Sequence, residues 1–112
     1  QPSLAGASRL VSGQLMIDRQ CRRAWLAGSE LPLSAKAFSV LEYMMIHPDQ
    51  VITRERFLDV VWGWDYPVAT RTVDNRVAEL RKHLADDPSA PRFIETIVNV
   101  GYRFMGSVEV QE

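Results

Sequence analysis

The segment RTVDNRVAELRKHL, residues 71–84, limits the folds open to this chain more than any other. Val73, Val77, Leu80 and Leu84 recur at steps of four, three and four. On a helix of ~3.6 residues per turn they fall within about 60° of one another. Nearly everything between them is polar or charged. A helix with so narrow an apolar seam is stabilised mainly by tertiary packing, so the rest of the chain must supply a matching surface. The opposite side carries Asn75, Glu79 and Lys82, with Arg71, Thr72 and Arg76 on its flanks. Arg71, Arg76, Arg81 and Lys82 set four positive charges in this one segment against Asp74 and Glu79. His83, on the flank, reads as solvated.

The matching surface is sought in two earlier helices. Ser34 is a good N-cap for AKAFSVLEYMMIH. There Phe38, Leu41 and Met45 form an apolar stripe, and Pro48 stops the helix. Thr53 caps RERFLDVVWG, where Phe57, Val60, Val61 and Trp64 are expected to face inward and Gly63 marks the end. Pro67 breaks the following WDYPVA, and Thr70 is the expected cap of the third helix. Upstream, LVSGQLMID (10–18), QCRRAWL (20–26) and SELPL (29–33) have strand character, with Gly28 and Ser29 as a turn. They suggest a small antiparallel sheet. Downstream, RFIETIVNVGYRFMGSVEV alternates around a turn at 99–101, the pattern of a β-hairpin.

Length and composition bound the rest. The chain has 112 residues, of which 46% are hydrophobic and 24% charged, a globular composition with room for one core. Cys21 is the one cysteine, so no intrachain disulfide can form; it reads as a small residue in a partly covered sheet. His47 and His83 lack zinc-ligand spacing. No apolar run approaches the ~18 residues of a membrane helix. Residues 1–8, QPSLAGAS, lack the basic start and apolar stretch of a signal peptide. They read as a linker remnant before a domain over 9–110, and a start at Gln hints at a piece of something longer. These features suit a cytoplasmic location. The net charge of −1 does not announce a nucleic-acid binder, so any such face must be local. No nucleophile elbow, phosphate-binding loop, zinc-protease or dinucleotide motif occurs. The Asp86–Asp87 pair reads as a solvated acidic turn. Neither catalysis nor a cofactor nor a metal is expected.

PDQVITRERFLDVVWG, RTVDNRVAELRKHL and IETIVNVGYRF, in that order, resemble the DNA-binding effector domain of OmpR/PhoB-family response regulators. The resemblance runs from about residue 10 to 108. It implies an α+β winged helix-turn-helix: an N-terminal four-stranded antiparallel sheet, three helices and a C-terminal hairpin wing. It also implies sequence-specific binding of double-stranded DNA in the control of transcription, as the output half of a two-component system. The third helix would enter the major groove and the wing would reach the neighbouring minor groove. The implied partners are direct-repeat DNA bound by a head-to-tail dimer, RNA polymerase through the loop 62–69, and a receiver domain outside this chain.

Residue by residue, the resemblance puts Asn75, Arg76 and Glu79 against bases. Asn can pair with adenine, Arg with guanine, and Glu can accept from cytosine. Arg54, Trp62, Arg71, Thr72, Arg81, Lys82, Thr96 and Tyr102 are matched to phosphate contacts, which position rather than specify. Two departures stand out. The wing carries Val98 and Asn99 where the family usually has arginine and glycine, which removes the charge best suited to a narrow minor groove. Glu79 stands where some relatives have arginine. The alternative reading is a winged helix that docks on a protein, favoured by the near-neutral charge and the uncharged wing tip.

Overall fold

The computed structural model describes residues 4–63 and 68–111. It opens with two hairpins. Strands β1 (Arg9–Ser12) and β2 (Leu15–Asp18) pair antiparallel, as do β3 (Arg23–Leu26) and β4 (Ser29–Glu30). LVSGQLMID, expected as one segment, is therefore a hairpin closed at Gly13, whose φ of 60° suits a residue without a Cβ. The second turn lies at Ala27 and Gly28, one residue earlier than expected, with both φ positive at 52° and 84°, as a two-residue hairpin turn requires. SELPL contributes only its first two residues as strand. Cys21 lies in the exposed turn before β3, not in the sheet.

A late strand, β8 (Glu109–Val110), pairs with β1 and makes the sheet five-stranded in the order β4-β3-β2-β1-β8. That is one strand more than the resemblance implies. Its inner face presents Leu10, Leu15, Ile17 and Ala24, all buried. Leu4 and Ala7 pack against the same core, and the Arg19 guanidinium donates to the carbonyls of Leu4, Ala5 and Ala7.

Helix α1 (Ala35–Ile46) is capped as expected, with the Ser34 hydroxyl accepting from the Ala37 amide. It buries Phe38, Val40, Leu41, Met44 and Met45. Thr53 likewise caps α2 (Arg54–Phe57), accepting from the Arg56 amide at 3.1 Å. Here the structure departs from the pattern. After one turn, α2 widens into a π-helical stretch, Leu58–Trp62, that ends at Gly63 with φ 88°. The wider turn rotates later side chains relative to an α-helical wheel. Val60, expected inward, is 43% exposed, whereas Val61 stays packed on the core. Trp64 lies outside the described residues, as does 64–67 of the loop matched to polymerase contact.

Helix α3 (Arg71–Leu84) buries the whole seam: Val73, Val77, Leu80 and Leu84 are fully covered. Thr70 sits at its N-cap position, but the side chain accepts no hydrogen bond there, because its own backbone is already helical. The hairpin is β6 (Ile94–Ile97) against β7 (Gly101–Phe104), joined through Val98, Asn99 and Val100. A short strand, β5 (Ile52–Thr53), completes a three-stranded sheet with β7 in the middle. A Cβ added at Gly101 would lie 1.9 Å from the Ile52 carbonyl oxygen. Only glycine lets β5 pass so close.

Asp86 is no solvated turn residue. It is 5% exposed, and its carboxylate accepts from the amides of Arg92, Phe93 and Ile94 at 2.7, 3.2 and 3.0 Å. It thus holds the end of α3 to the start of β6. Asp87, by contrast, is exposed and accepts from the Ser89 amide and hydroxyl.

Candidate nucleic-acid interface

With its seam buried, α3 leaves one stripe fully outward: Arg71, Asn75, Ala78 and Lys82, each exposed, at steps of four, three and four. The stripe mirrors the buried seam on the opposite side of the helix. It carries two cations, one amide with both donor and acceptor, and a methyl group. Ala78 was not singled out by pattern, because alanine is neutral in every periodicity. Its small side chain lets the middle of the helix come close to a surface, and its methyl can meet a thymine methyl.

The two flanks of α3 are tied down. On one, Glu79 turns inward. Its Oε2 accepts from the Ser34 amide at 2.8 Å, and its Oε1 from the Ser34 hydroxyl at 2.9 Å and from Arg76 Nη1 at 2.8 Å. Arg76 Nη1 also reaches the Ser34 hydroxyl at 3.2 Å. The Glu79 side chain is only 20% exposed. It forms a clasp between α3 and the start of α1 and does not stand as a free acceptor on the outward stripe, where a base reader was expected. Its partner lies 45 residues away in sequence, and no local pattern announces it. Arg76, also expected at a base, flanks this clasp rather than the stripe. Lys36 on α1 lies nearby along the chain, its ammonium 5.7 Å from the Trp62 ring centre and bonded to the Val61 carbonyl. Trp62 is half-buried beneath it.

On the other flank, α3 is joined to the hairpin. Arg81 donates from Nη2 to the Ile94 carbonyl at 2.9 Å and to the Thr96 hydroxyl at 2.7 Å. Its Nε is buried without a partner among the described residues. Asp74 accepts from Arg54 Nε at 2.7 Å and from the Tyr102 hydroxyl. Burial pushes the Asp74 carboxyl up, but the phenol and the guanidinium outweigh it and hold the group below the usual carboxylate range. Burial, and then the hydrogen bond to Asp74 and its charge, push the Tyr102 phenol up, so it keeps its proton. Arg81, Thr96, Tyr102 and Arg54 were expected on phosphates; in the structure each is engaged inside this junction. Thr72 is half-buried on the first flank.

The hairpin tip is uncharged. Val98 is 75% exposed and Val100 41%. Asn99 between them takes a left-handed φ of 65°, a conformation asparagine tolerates better than most residues. Below the tip, Arg103 pairs with Glu95 across the strands. No helix among the described residues is long and apolar enough to cross a membrane.

Residues 28–104 match the family model described as transcriptional regulatory protein, C terminal. The fold is similar to that of response regulator DrrB of Thermotoga maritima, an OmpR/PhoB homolog, with 36% identity, a TM-score of 0.80 and 88% of this chain aligned. The chain spans 45% of the length of that protein. It is similar too to the DNA-binding domain of Klebsiella pneumoniae RstA, solved in complex with RstA box, at 33% identity and TM-score 0.78, covering 87% of this chain and 96% of the other. The DNA-binding domain of E. coli CadC aligns at 25% identity and TM-score 0.79, over 93% of this chain and 97% of that one.

Proposed function

Since the chain belongs to the transcriptional regulatory protein C-terminal family, the effector domains of OmpR/PhoB-type response regulators, we propose that it binds double-stranded DNA in a sequence-specific way, with α3 in the major groove and the β6–β7 tip at the neighbouring minor groove. The outward stripe of α3 carries this reading. Asn75 is the base-reading amide, able to bond adenine at two points. Ala78 lies beside it against bases, and Arg71 and Lys82 sit at the two ends of the stripe, where the backbone phosphates run. Arg76 and Trp62 flank the phosphates from the α1 side. Asn99 takes the place of the wing arginine and offers amide donors to the minor-groove acceptors.

The domain acts in the cytoplasm as the output half of a two-component regulator, with a receiver domain and RNA polymerase as its protein partners. On DNA it pairs head to tail on direct repeats, one helical turn or about 10–11 base pairs apart.

Titration of duplex DNA at graded salt tests this. Three cations near phosphate, Arg71, Arg76 and Lys82, give an expected log–log slope of about −2 to −3, at roughly −0.9 per phosphate neutralised. Duplexes with two half-sites at that spacing should bind more tightly per site than a lone half-site. A second reading, docking on a protein, is favoured by the uncharged Val98–Asn99 tip; it predicts a flat salt response.

A further inference from the structure

We propose that Tyr102 is a positioning residue: its hydroxyl, donated to Asp74, fixes the angle between α3 and the β6–β7 hairpin, so that both meet DNA as one rigid body. The proposal rests on the DNA-binding reading for its consequence, but not for its geometry. Tyr102 is 4% exposed, so its ring is held inside the fold and only its hydroxyl reaches the rim, against Asp74. Two guanidinium groups lie over its ring, Arg54 at 5.3 Å and Arg81 at 5.6 Å from the ring centre. Such stacking holds the ring in place but leaves its hydroxyl one strong acceptor, Asp74.

Three side chains of this end of the molecule hold α3 to the hairpin. Asp74 ties it to β7 through Tyr102, while Arg81, through Ile94 and Thr96, and Asp86, through the amides of Arg92, Phe93 and Ile94, tie it to β6. Asp74 and Arg81 are two helical turns apart on the same flank, about 10 Å along the axis. Ties to β6 alone leave the angle of β7 to the helix less defined. Ties to both strands set the orientation of the hairpin. The tip follows Tyr102 closely, since only Gly101 and Val100 separate that residue from Asn99. Removing the hydroxyl leaves only the Arg81 and Asp86 side-chain ties, both to the β6 side of the hairpin.

Tyr102→Phe keeps the ring and its two stacked cations and deletes only the hydroxyl. Two measurements decide the proposal. In the free domain, residual dipolar couplings of α3 and β6–β7 amides should fit one alignment frame in the wild type and need two in Tyr102→Phe. On a selected duplex, Tyr102→Phe should weaken binding by about three- to tenfold, the range of one lost hydrogen bond. That loss should vanish when the tip is already disabled by Asn99→Ala. A single alignment frame in Tyr102→Phe, or an equal loss in the Asn99→Ala background, overturns the proposal. If the wild-type domain ignores duplex DNA, the DNA-binding reading fails, and the couplings alone judge the attachment.

Discussion

Glu79 lies one turn beyond Asn75, and on sequence grounds the two share a reading face. Their fates differ because of Ser34. Its amide and hydroxyl sit at the start of α1, where a helix leaves amides unpaired and favours a negative charge. A carboxylate within reach is drawn there rather than to solvent. Glu79→Ala should therefore leave the preferred base sequence unchanged while freeing the Ser34 amide and leaving Arg76 Nη1 only the Ser34 hydroxyl. The expected loss of stability is about 1 kcal/mol, since the groups left without partners are half-buried and water can reach them. Urea unfolding and a selected-site profile measure the two effects separately. A shifted base preference at full stability would restore Glu79 as a reader. Val98 offers a second test at this scale. Val98→Arg adds a cation at the tip and should raise affinity about three- to tenfold, most on A/T-rich flanks with a narrow groove. Equal affinity on every flank would place the tip away from the minor groove.

The elements divide by how local their causes are. The seam of α3 and the caps of α1 and α2 were readable, because periodicity and N-capping act within a few residues. The outward stripe of α3 was readable only in part: Asn75 and Lys82 lie on it, whereas Ala78 carries no periodic signal and Glu79 sits on a flank. The π-helical stretch of α2 was not readable, and Val60 was misplaced with it. Strands β5 and β8 are two residues long and have no pattern of their own; they exist because β7 and β1 offer an unpaired edge. Asp86 was misread for a similar reason. Acidic residues beside proline usually mean a solvated turn, and only the fold brings three amides onto one carboxylate. Asp86→Ala should leave those amides unpaired in a buried setting, at about 2–3 kcal/mol. For a domain of this size that lowers Tm by roughly 10 °C or more. A thermal melt within a degree or two of wild type would show that water replaces the carboxylate.

At the scale of the whole molecule, the α3–hairpin junction links stability to pH. The Asp74 carboxyl sits below its ordinary value of 3.8 in the folded chain. Above 3.8 both folded and unfolded chains are ionised there, and the full stabilisation is present. As pH falls past 3.8 the unfolded chain takes up the proton first, and the contribution fades until the folded carboxyl is protonated too. Stability of the wild type should therefore drop more steeply between about pH 4 and 2 than that of Asp74→Asn. Parallel acid curves from urea unfolding would mean that the Arg54 and Tyr102 bonds add nothing in solution.

Gly101 has a consequence for how such a domain diversifies. Because β5 runs across its bare α-carbon, the root of the hairpin is a fitted joint that admits no other side chain. The side chains of Val98, Asn99 and Val100, just before it, project past that joint, and only the Val100 carbonyl is bonded back, by the Arg54 amide. The hairpin is thus a tool with a fixed socket and an exchangeable bit: loops of altered charge or length can be grafted at the tip, and new flanking preferences selected, without disturbing the joint that carries them.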